Sequence, residues 1–288
     1  MRKTNTHPKQ VLTERIAIQG YPGSFHEEAA IRYFGKSVSV LPCDTFTELI
    51  QVAERSAYCN GAVMAIENSI AGSILPNYNL LHRSKLVIVG EIYLRIRQHL
   101  LALPATSIRD IRSVHSHTMA LQQCLEFLSE HRWKQVETAD TAKSAQELSQ
   151  QRSKSTAVIA SRQAAEQYGL QILAANIHTV KNNYTRFLVL KRKKEARAPD
   201  ENSNKASLLF HTDHRQGALA RVLNRIADQG VNLSKLQSFP IPGTEFNYAF
   251  HADLEFDRPD HFEKTLVALT PVIKKLRVYG TYKKGIWQ

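Results

Sequence analysis

The sequence predicts an α/β fold in which a larger domain with a parallel sheet precedes a small module of order βαββαβ. Short apolar runs alternate with segments whose apolar residues recur at helical spacing, as is typical of strands buried on both faces of a sheet. A polar stretch interrupts this pattern, and a second set of strands and helices follows it. A chain of 288 residues is long enough for two such domains.

The larger domain is predicted from five apolar runs that have helices between them. The strand-like runs are residues 16–18, 62–66, 86–89, 156–160 and 187–190. The helix-like segments include residues 46–57, 119–130 and 141–151. Alternation of strands and helices implies crossover connections, and such connections produce parallel strands.

The stretch KRKKEARAPDENSNK, residues 191–205, has the composition of a linker. Beyond it, the spacing predicts strands at 206–210, 232–239, 247–256 and 273–279 and helices at 218–229 and 260–271. This order is typical of a ferredoxin-like module. We therefore divide the chain into an N-terminal tail (1–14), a larger domain (15–190), a linker (191–204) and a C-terminal module (205–284).

Charge and cysteine content limit the possible partners and compartment. Lys and Arg number 38 against 26 Asp and Glu, and the net charge of +12 favours anionic partners. Cys43, Cys59 and Cys124 have neither disulfide-framework nor zinc spacing, which suits a reducing compartment. The polar N-terminus and the short apolar runs predict a cytoplasmic protein without a membrane partner. The basic run at 191–194 lacks interleaved aromatic residues, so we predict no nucleic-acid partner.

The usual motifs for metals, nucleotides and hydrolytic serines are missing from the sequence. HEEAA begins like a zinc-protease helix, but Ala30 stands where the second histidine is needed. His115 and His117 alternate on one strand without acidic or sulfur ligands beside them, which is more typical of structural or substrate-facing side chains. The chain has no GxxxxGK[ST], GxGxxG or GxSxG. We predict chemistry without a metal or a cofactor.

Polar residues concentrate in loops where strands end and helices begin, which is where ligands bind in open α/β sheets. In GYPGSFHEEAA, Ser24 stands at a helix N-terminus, whose unpaired N–H groups suit a carboxylate. A turn with an N-cap explains Ser24 equally well. In AIENSIAGS, Asn68 and Ser69 follow a buried strand, where they can bind a substrate or cap the next helix.

Two further segments carry candidate site residues. Ser116 ends the strand in VHSHTMALQQC, and Gln123 lies two turns into the following helix, where it is either a ligand or a surface residue. In NNYTRFLVL, Thr185 and Arg186 directly precede a buried strand. The forked guanidinium of Arg186 suits a substrate carboxylate, and pairing with an acidic side chain of the protein is the alternative.

Taken in this order, the segments resemble the prephenate dehydratase family. The family's ENSxxG motif appears as ENSIAG at 67–72, its serine–histidine turn as SH at 116–117, and its TRF motif at 185–187. TAVIASRQAAEQYGL is similar to the segment before the TRF motif. After the turn the family commonly has Pro-Gln, and this chain has Thr118-Met119. The C-terminal module resembles the ACT domain that usually follows.

The resemblance implies a catalytic domain similar in fold to a type II periplasmic binding protein, with two α/β lobes and an active site between them. The chain is then expected to begin in lobe one (about 15–95), build lobe two (about 96–177) and return to lobe one (178–190). Thr185 is implied as the catalytic residue. The substrate-binding residues implied by the family are Asn68, Ser69, Ser116 and Gln123.

The implied reaction is the loss of carbon dioxide and water from prephenate to give phenylpyruvate, on the way to phenylalanine. Thr185 is expected to donate a hydrogen bond that strengthens as negative charge develops on the leaving hydroxyl. The ring carboxylate loses its charge during decarboxylation, so tight binding there slows the step. We therefore expect Arg186 to hold the pyruvyl carboxylate and Ser24, with its helix N-terminus, to provide a second anchor.

ACT domains of this family commonly bind phenylalanine at a dimer interface, through a GAL turn and a segment resembling NLTKIESRP. The matching stretches here are GAL at 217–219 and NLSKLQSFP at 232–240, with Gln237 and Phe239 in place of Glu and Arg. We predict phenylalanine inhibition and a homodimer or homotetramer. The predicted effector-binding residues are Gly217, Ala218, Leu219, Asn232 and Leu233.

Three other functions compete with this prediction. Arogenate dehydratase acts on a substrate with an amino group where prephenate has a keto group. A catalytically silent amino-acid sensor would keep the cleft and the ACT domain without turnover. A nucleic-acid-binding protein is suggested by the net charge alone.

Overall fold

The computed structural model describes residues 14–241, 243–245 and 247–287, and within these ranges the strands form three sheets. Residues 1–13 of the predicted N-terminal tail lie outside the described residues. None of the helices in the described part of the chain has the length and apolar character needed to cross a lipid bilayer.

Lobe one begins with five strands and three helices. The strands are β1 (Arg15–Gln19), β2 (Ser39–Cys43), β3 (Gly61–Asn68), β4 (Gly72–Ser73) and β5 (Leu86–Arg95). The helices are α1 (Phe25–Phe34), α2 (Phe46–Arg55) and α3 (Leu75–Arg83). The apolar run of β3 is buried on both faces: α1 packs on one face of the sheet, and α2, α3 and the C-terminal module pack on the other.

The chain then crosses to lobe two, which has its own sheet. Its strands are β6 (His99–Ala102), β7 (Ser113–His117), β8 (Lys134–Thr138), β9 (Thr156–Ala160) and β10 (Gln171–Ala174). Its helices are α4 (Thr118–Gln123), α5 (Leu125–Ser129), α6 (Thr141–Gln151) and α7 (Arg162–Tyr168). The strand order is β10-β6-β9-β7-β8, with β7 parallel to both of its neighbours.

The chain returns to lobe one as β11 (Tyr184–Arg192), which inserts between β3 and β5. The sheet order becomes β2-β1-β3-β11-β5, with β4 beside β3. β11 is antiparallel to both neighbours, and β6 is antiparallel to β9 and β10. The predicted parallel pairing is confirmed for β1 with β2 and β3 and for β7 with β8 and β9. It does not hold for β11, because a chain that leaves a lobe and comes back re-enters its sheet from the opposite direction.

The C-terminal module follows the predicted order. Its elements are β12 (Lys205–His211), α8 (Ala218–Asp228), β13 (Asn232–Pro240), β14 (Tyr248–Glu255), α9 (Pro259–Leu269) and β15 (Lys275–Tyr282). The strand order β13-β14-β12-β15 is antiparallel throughout, which confirms a ferredoxin-like topology. Helices α8 and α9 cover one face of this sheet, and lobe one covers the other.

Several boundaries differ from the sequence prediction, and two of the differences change the interpretation of a segment. The predicted helix at 119–130 is two short helices, because Cys124 has non-helical backbone angles and separates α4 from α5. The basic run predicted as solvated spacer is anchored at its start: Lys191 and Arg192 belong to β11. Arg192 donates to the Ser56 carbonyl at 2.8 Å and pairs with Glu195, so the irregular connection begins later than predicted.

Candidate active site

Thr185 and Asn68 lie directly opposite each other on neighbouring strands. Asn68 ends β3 and Thr185 lies near the start of the antiparallel β11, and the two are register partners. β5 ends beside them at Arg95, the point from which the chain leaves for lobe two. The pair therefore lies at the edge of lobe one that faces lobe two, with both side chains 8% exposed.

The Asn68 amide is held in one orientation by protein groups. Its Oδ1 accepts from the N–H groups of Ile70 and Ala71 at 3.0 and 2.9 Å. Its Nδ2 donates to Thr185 Oγ1 at 3.0 Å and to Asn183 Oδ1 at 2.7 Å. Since Thr185 Oγ1 accepts this hydrogen bond, its own hydroxyl proton remains for another acceptor.

Ser69 holds the backbone next to Thr185. Its N–H donates to the Tyr184 carbonyl at 2.8 Å, and its Oγ accepts from the Tyr184 N–H at 2.9 Å. The Ser69 hydroxyl also donates to the Asn182 carbonyl at 3.4 Å. Ser69 therefore fixes the segment that carries the threonine, a contact that the sequence prediction of substrate binding did not include.

Arg186 points to the opposite face of the sheet from Thr185, and the prediction that it binds a substrate carboxylate is wrong. Its buried guanidinium donates to Glu91 Oε2 at 2.7 Å and to the Asp253 carboxylate of the C-terminal module. Burial alone would raise the pKa of Asp253, but Arg186 holds that pKa well below its usual range. The alternative of pairing with acidic side chains of the protein is the one observed.

The structure also changes the interpretation of Ser24, which was predicted to anchor a carboxylate. Ser24 is the N-cap of α1, and its Oγ accepts from the Glu27 N–H at 3.3 Å. Glu27 reaches back to the Gly23 N–H at 2.6 Å. This reciprocal pair already binds a carboxylate of the protein to that helix start, so the prediction of a substrate anchor at Ser24 is not supported.

The two predicted residues of lobe two differ in accessibility. Ser116, on β7, is fully buried, and its hydroxyl donates to the Ile159 carbonyl on neighbouring β9 at 2.6 Å. That hydrogen bond joins two strands and does not support the predicted role in substrate binding. Gln123, at the end of α4, is partly exposed, and its Oε1 accepts from Gln98 Nε2 at 3.5 Å.

Comparison with known proteins identifies the family. The prephenate dehydratase family profile matches residues 16–195, more than half of the chain. This chain belongs to the prephenate dehydratase family. A relative from Arabidopsis thaliana, arogenate dehydratase/prephenate dehydratase 1, chloroplastic, is 36% identical over 93% of this chain and 71% of its own length.

Solved structures related to this prephenate dehydratase family member cover nearly its whole length. The structure titled as GqqA, a novel type of quorum quenching acylase, is 30% identical with a TM-score of 0.85, covering 94% of this chain and 98% of the other. Prephenate dehydratase from Arthrobacter aurescens in complex with L-Phe is 26% identical with a TM-score of 0.83, covering 93% and 90% of the two chains.

The lobes of this dehydratase family member touch through the loop between β1 and α1. Ser161 of lobe two donates to the Gly23 carbonyl at 2.6 Å, and Tyr168 donates to the Pro22 carbonyl at 2.8 Å. Gln163 donates to Glu27 Oε2 at 3.0 Å. These three contacts, from both ends of α7, hold the GYPGSF loop of lobe one against that helix.

The histidines where the lobes join are neutral hydrogen-bond acceptors. Burial lowers the pKa of His99 to about 4 and lowers that of His178 as well. His99 Nδ1 accepts from the Asn176 N–H at 3.2 Å, and His178 Nδ1 accepts from the Gln98 N–H at 3.3 Å. Neither imidazole is therefore protonated at neutral pH.

Metal and thiol chemistry find little support among the residues that the structure describes. In that part of the chain, no group of three or more His, Cys, Asp or Glu side chains is arranged to hold a metal ion. Cys43, Cys59 and Cys124 are buried free thiols. Burial raises the pKa of Cys124 to about 12, so it stays protonated and unreactive at neutral pH.

The GAL turn of the C-terminal module borders a cavity of about 330 Å³. Gly217, with φ +73°, is the N-cap of α8, and Ala218 and Leu219 line the cavity together with Tyr248 and Phe250. The other two predicted effector residues begin β13, an outer strand of the sheet, and are not among the lining residues. They are Asn232 and Leu233.

The sequence prediction gave no role to two residues that support the site. Asn183 is fully buried and accepts from Asn68, and it lies within the NNYTRFLVL segment. Glu91 is a buried carboxylate in the otherwise apolar strand β5, and it holds Arg186. A charged residue inside an apolar strand was the available signal for Glu91, because such a charge needs a buried partner.

Proposed function

We propose that this protein is a carbon–oxygen lyase that converts prephenate into phenylpyruvate in phenylalanine biosynthesis. The observation that carries the proposal is the hydrogen bond from Asn68 Nδ2 to Thr185 Oγ1. It leaves the threonine proton as a donor at the edge where the lobes meet. Family membership supplies the substrate class, and the Thr185 hydroxyl supplies the hydrogen-bond donor.

The reaction places a defined demand on this pair. As the ring hydroxyl leaves, negative charge develops on its oxygen, and the Thr185 O–H stabilises that charge. Donation by Thr185 increases the electron density on its own oxygen, which the Asn68 N–H in turn stabilises. The electron pair of the breaking C–CO2 bond moves through the ring and breaks the C–OH bond, so loss of carbon dioxide and of hydroxide together makes the ring aromatic and supplies the driving force. A proton from solvent converts the departing hydroxide into water. Because Arg186 is committed to Glu91 and Asp253, we assign the orientation of Thr185 to Asn68 and the orientation of the substrate to the Gln123 amide.

The test is ultraviolet detection of phenylpyruvate after mixing the purified protein with prephenate. Thr185→Ala should lower kcat by about 10²–10³, the usual cost of one such donor, while Thr185→Ser should keep most of the activity. Full activity in Thr185→Ala would contradict the catalytic assignment. A wild-type protein without turnover would instead favour a catalytically silent amino-acid sensor.

Arogenate is the second candidate substrate, because the Arabidopsis relative carries both arogenate and prephenate dehydratase in its name. The two substrates differ by an amino group in place of a keto group. Parallel assays with prephenate and arogenate measure the preference directly. A kcat/KM at least tenfold higher for arogenate would reassign the main activity.

The acylase named for one structural neighbour fits the described site less well. An acyl-transfer nucleophile needs a base within hydrogen-bond reach. Thr185 accepts from an amide, and the Ser116 hydroxyl donates to a backbone carbonyl. These contacts favour hydrogen-bond donation over nucleophilic attack.

We also propose that residues 205–284 form an ACT domain that binds phenylalanine, in a homodimer or homotetramer. The cavity beside Ala218 and Leu219 supports this, as does the phenylalanine complex of the Arthrobacter enzyme. Phe239, which replaces the family's arginine, packs against Tyr78 and His82 of lobe one and does not line this cavity. Isothermal titration calorimetry with phenylalanine and sedimentation of the full chain test both points, and absence of phenylalanine binding would exclude this regulation.

The remaining assignments follow from the same proposal. Residues 15–190 are the catalytic domain, with two lobes arranged as in type II periplasmic binding proteins, and residues 191–204 link it to the ACT domain. We place the protein in the cytoplasm, with prephenate as its substrate.

A further inference from the structure

The residues that neighbour Asn68 and Thr185 on their strands contact the C-terminal module. Glu67 and Arg186 are register partners on β3 and β11, one position along from the Asn68–Thr185 pair. A register shift between Arg186 and Phe187 marks a bulge at this point, and bulges redirect side chains. Arg186 and Glu67 therefore contact the module, while Thr185 points to the other face.

Glu67 is held by Lys235, a residue of β13. The Lys235 ammonium pairs with the Glu67 carboxylate and also donates to Ser73 Oγ at 2.6 Å. Ser73 lies on β4, directly opposite Glu67 in the short hairpin. One lysine of the C-terminal module thus ties together both strands of the β3–β4 hairpin.

The hairpin turn orients the proposed catalytic pair. Ile70 and Ala71 lie in this turn, and their N–H groups donate to Asn68 Oδ1 at 3.0 and 2.9 Å. Those two bonds decide which end of the Asn68 amide faces Thr185. Movement of the turn would therefore change the direction of the donor that Asn68 presents to Thr185 Oγ1.

We propose that Lys235 is a positioning residue for the dehydratase reaction, supplied by the C-terminal module: by holding Glu67 and Ser73, it fixes the turn that orients Asn68 toward Thr185. The inference rests on the proposed function, because it assigns the orientation of the same pair. The Lys235 and Glu67 side chains are 16% and 30% exposed, so a substitution at either position leaves the buried core intact.

The kinetic test compares Lys235→Met with Lys264→Met. Lys264 forms an ion pair with Asp260 at 3.1 Å within the same module, far along the chain from the hairpin. Lys235→Met should lower kcat about ten- to a hundredfold, as expected for a misplaced catalytic group, with KM little changed. Lys264→Met should match wild type, and Lys235→Arg should restore most of the rate. Equal kcat in Lys235→Met and wild type would overturn the proposal.

Two further measurements separate positioning from general stability. Glu67→Gln should lower kcat similarly. The Lys235→Met/Glu67→Gln double variant should have a kcat no lower than that of either single variant, and multiplied losses of kcat would contradict a shared mechanism.

Hydrogen–deuterium exchange of peptides covering residues 66–73 should be faster in Lys235→Met than in Lys264→Met. Unchanged exchange would overturn the proposal even without an activity assay. Wild-type inactivity combined with faster exchange would refute only the proposed function.

Discussion

Asn183 completes the set of hydrogen bonds around Asn68 and Thr185. Its Oδ1 accepts from Asn68 Nδ2 at 2.7 Å, and its side chain is fully buried. In the described part of the chain its Nδ2 has no hydrogen-bond partner, which is costly for a buried amide. We infer that the role of the Asn183 amide is to orient Asn68, from which it accepts a hydrogen bond.

Asn183→Ala should reduce catalysis more than it reduces stability. Loss of the acceptor frees Asn68 Nδ2 to rotate between its other partners, and a hydrogen bond worth about 1 kcal/mol corresponds to a rate loss of about fivefold. The measurement is kcat with prephenate for Asn183→Ala beside Asn182→Ala, whose side chain is exposed. If both variants keep wild-type kcat, Asn183 does not orient the pair.

The failure of the Arg186 prediction has a simple cause in strand geometry. Successive side chains of a strand point to opposite faces, so Thr185 and Arg186 cannot both face the same ligand. The resemblance places Asn68 and Thr185 in one lobe, and the structure pairs them on neighbouring strands. Which face meets another domain depends on packing between distant segments, and a sequence motif contains no information about that packing.

At the scale of elements, the loop from β1 to α1 brings the lobes into contact. Gly23 has φ +86°, and a Cβ at this position would lie 2.8 Å from the Ala164 Cα at the start of α7. Gly35 offers a matched comparison, because its φ is +90° and nothing lies within 4 Å of its Cβ position. Both glycines have a positive φ, and only Gly23 lies in contact with lobe two.

Gly23→Ala should therefore cost more than Gly35→Ala. Both variants pay about 1–2 kcal/mol for a side chain in the left-handed region, but only Gly23→Ala pushes the lobes apart. We expect a larger loss of unfolding free energy in urea and a lower kcat/KM for Gly23→Ala alone. Equal losses in the two variants would show that the contact with α7 is unimportant.

Element boundaries were predictable where local signals were strong. The helix at 141–151 and the strand at 156–160 match α6 and β9, because Asp140 caps the helix and the strand is a compact apolar run. The break at Cys124 and the antiparallel insertion of β11 could not be predicted. Both depend on contacts between segments that are far apart in the sequence.

At the scale of the whole molecule, the linker is a minor part of the connection between domains. Phe239, Tyr279 and Tyr282 of the C-terminal module belong to the same buried cluster as the core of lobe one. Within this interface the positive charges of Arg186 and Lys205 are paired with the carboxylates of Glu91 and Asp253. The Lys205 ammonium, for example, lies 3.0 Å from the Glu91 carboxylate. Composition predicted two modules joined by a spacer, but burial makes lobe one and the C-terminal module one packed unit.

Buried histidines make the stability of this unit depend on pH. His26 packs edge-on against Phe187 at 5.0 Å and accepts from the Ala65 N–H, and burial lowers its pKa from 6.5 to about 3. Below pH 6.5 the unfolded chain binds a proton that the folded chain does not. The contribution of His26 to the free energy of unfolding is therefore fully present above pH 6.5. It decreases as the pH falls toward 3.

This linkage predicts that the wild-type protein loses stability between pH 7 and pH 5, with about 2 kcal/mol of the loss due to His26. His26→Gln cannot take up the proton, so its urea-unfolding free energy should change less over the same interval. His82 behaves like His26, because burial lowers its pKa to about 3, so part of the pH dependence should remain in the variant. His214→Gln, at an exposed position, should follow the wild type. An identical pH dependence in His26→Gln and wild type would mean that His26 is protonated in the folded protein, in conflict with its packing against Phe187.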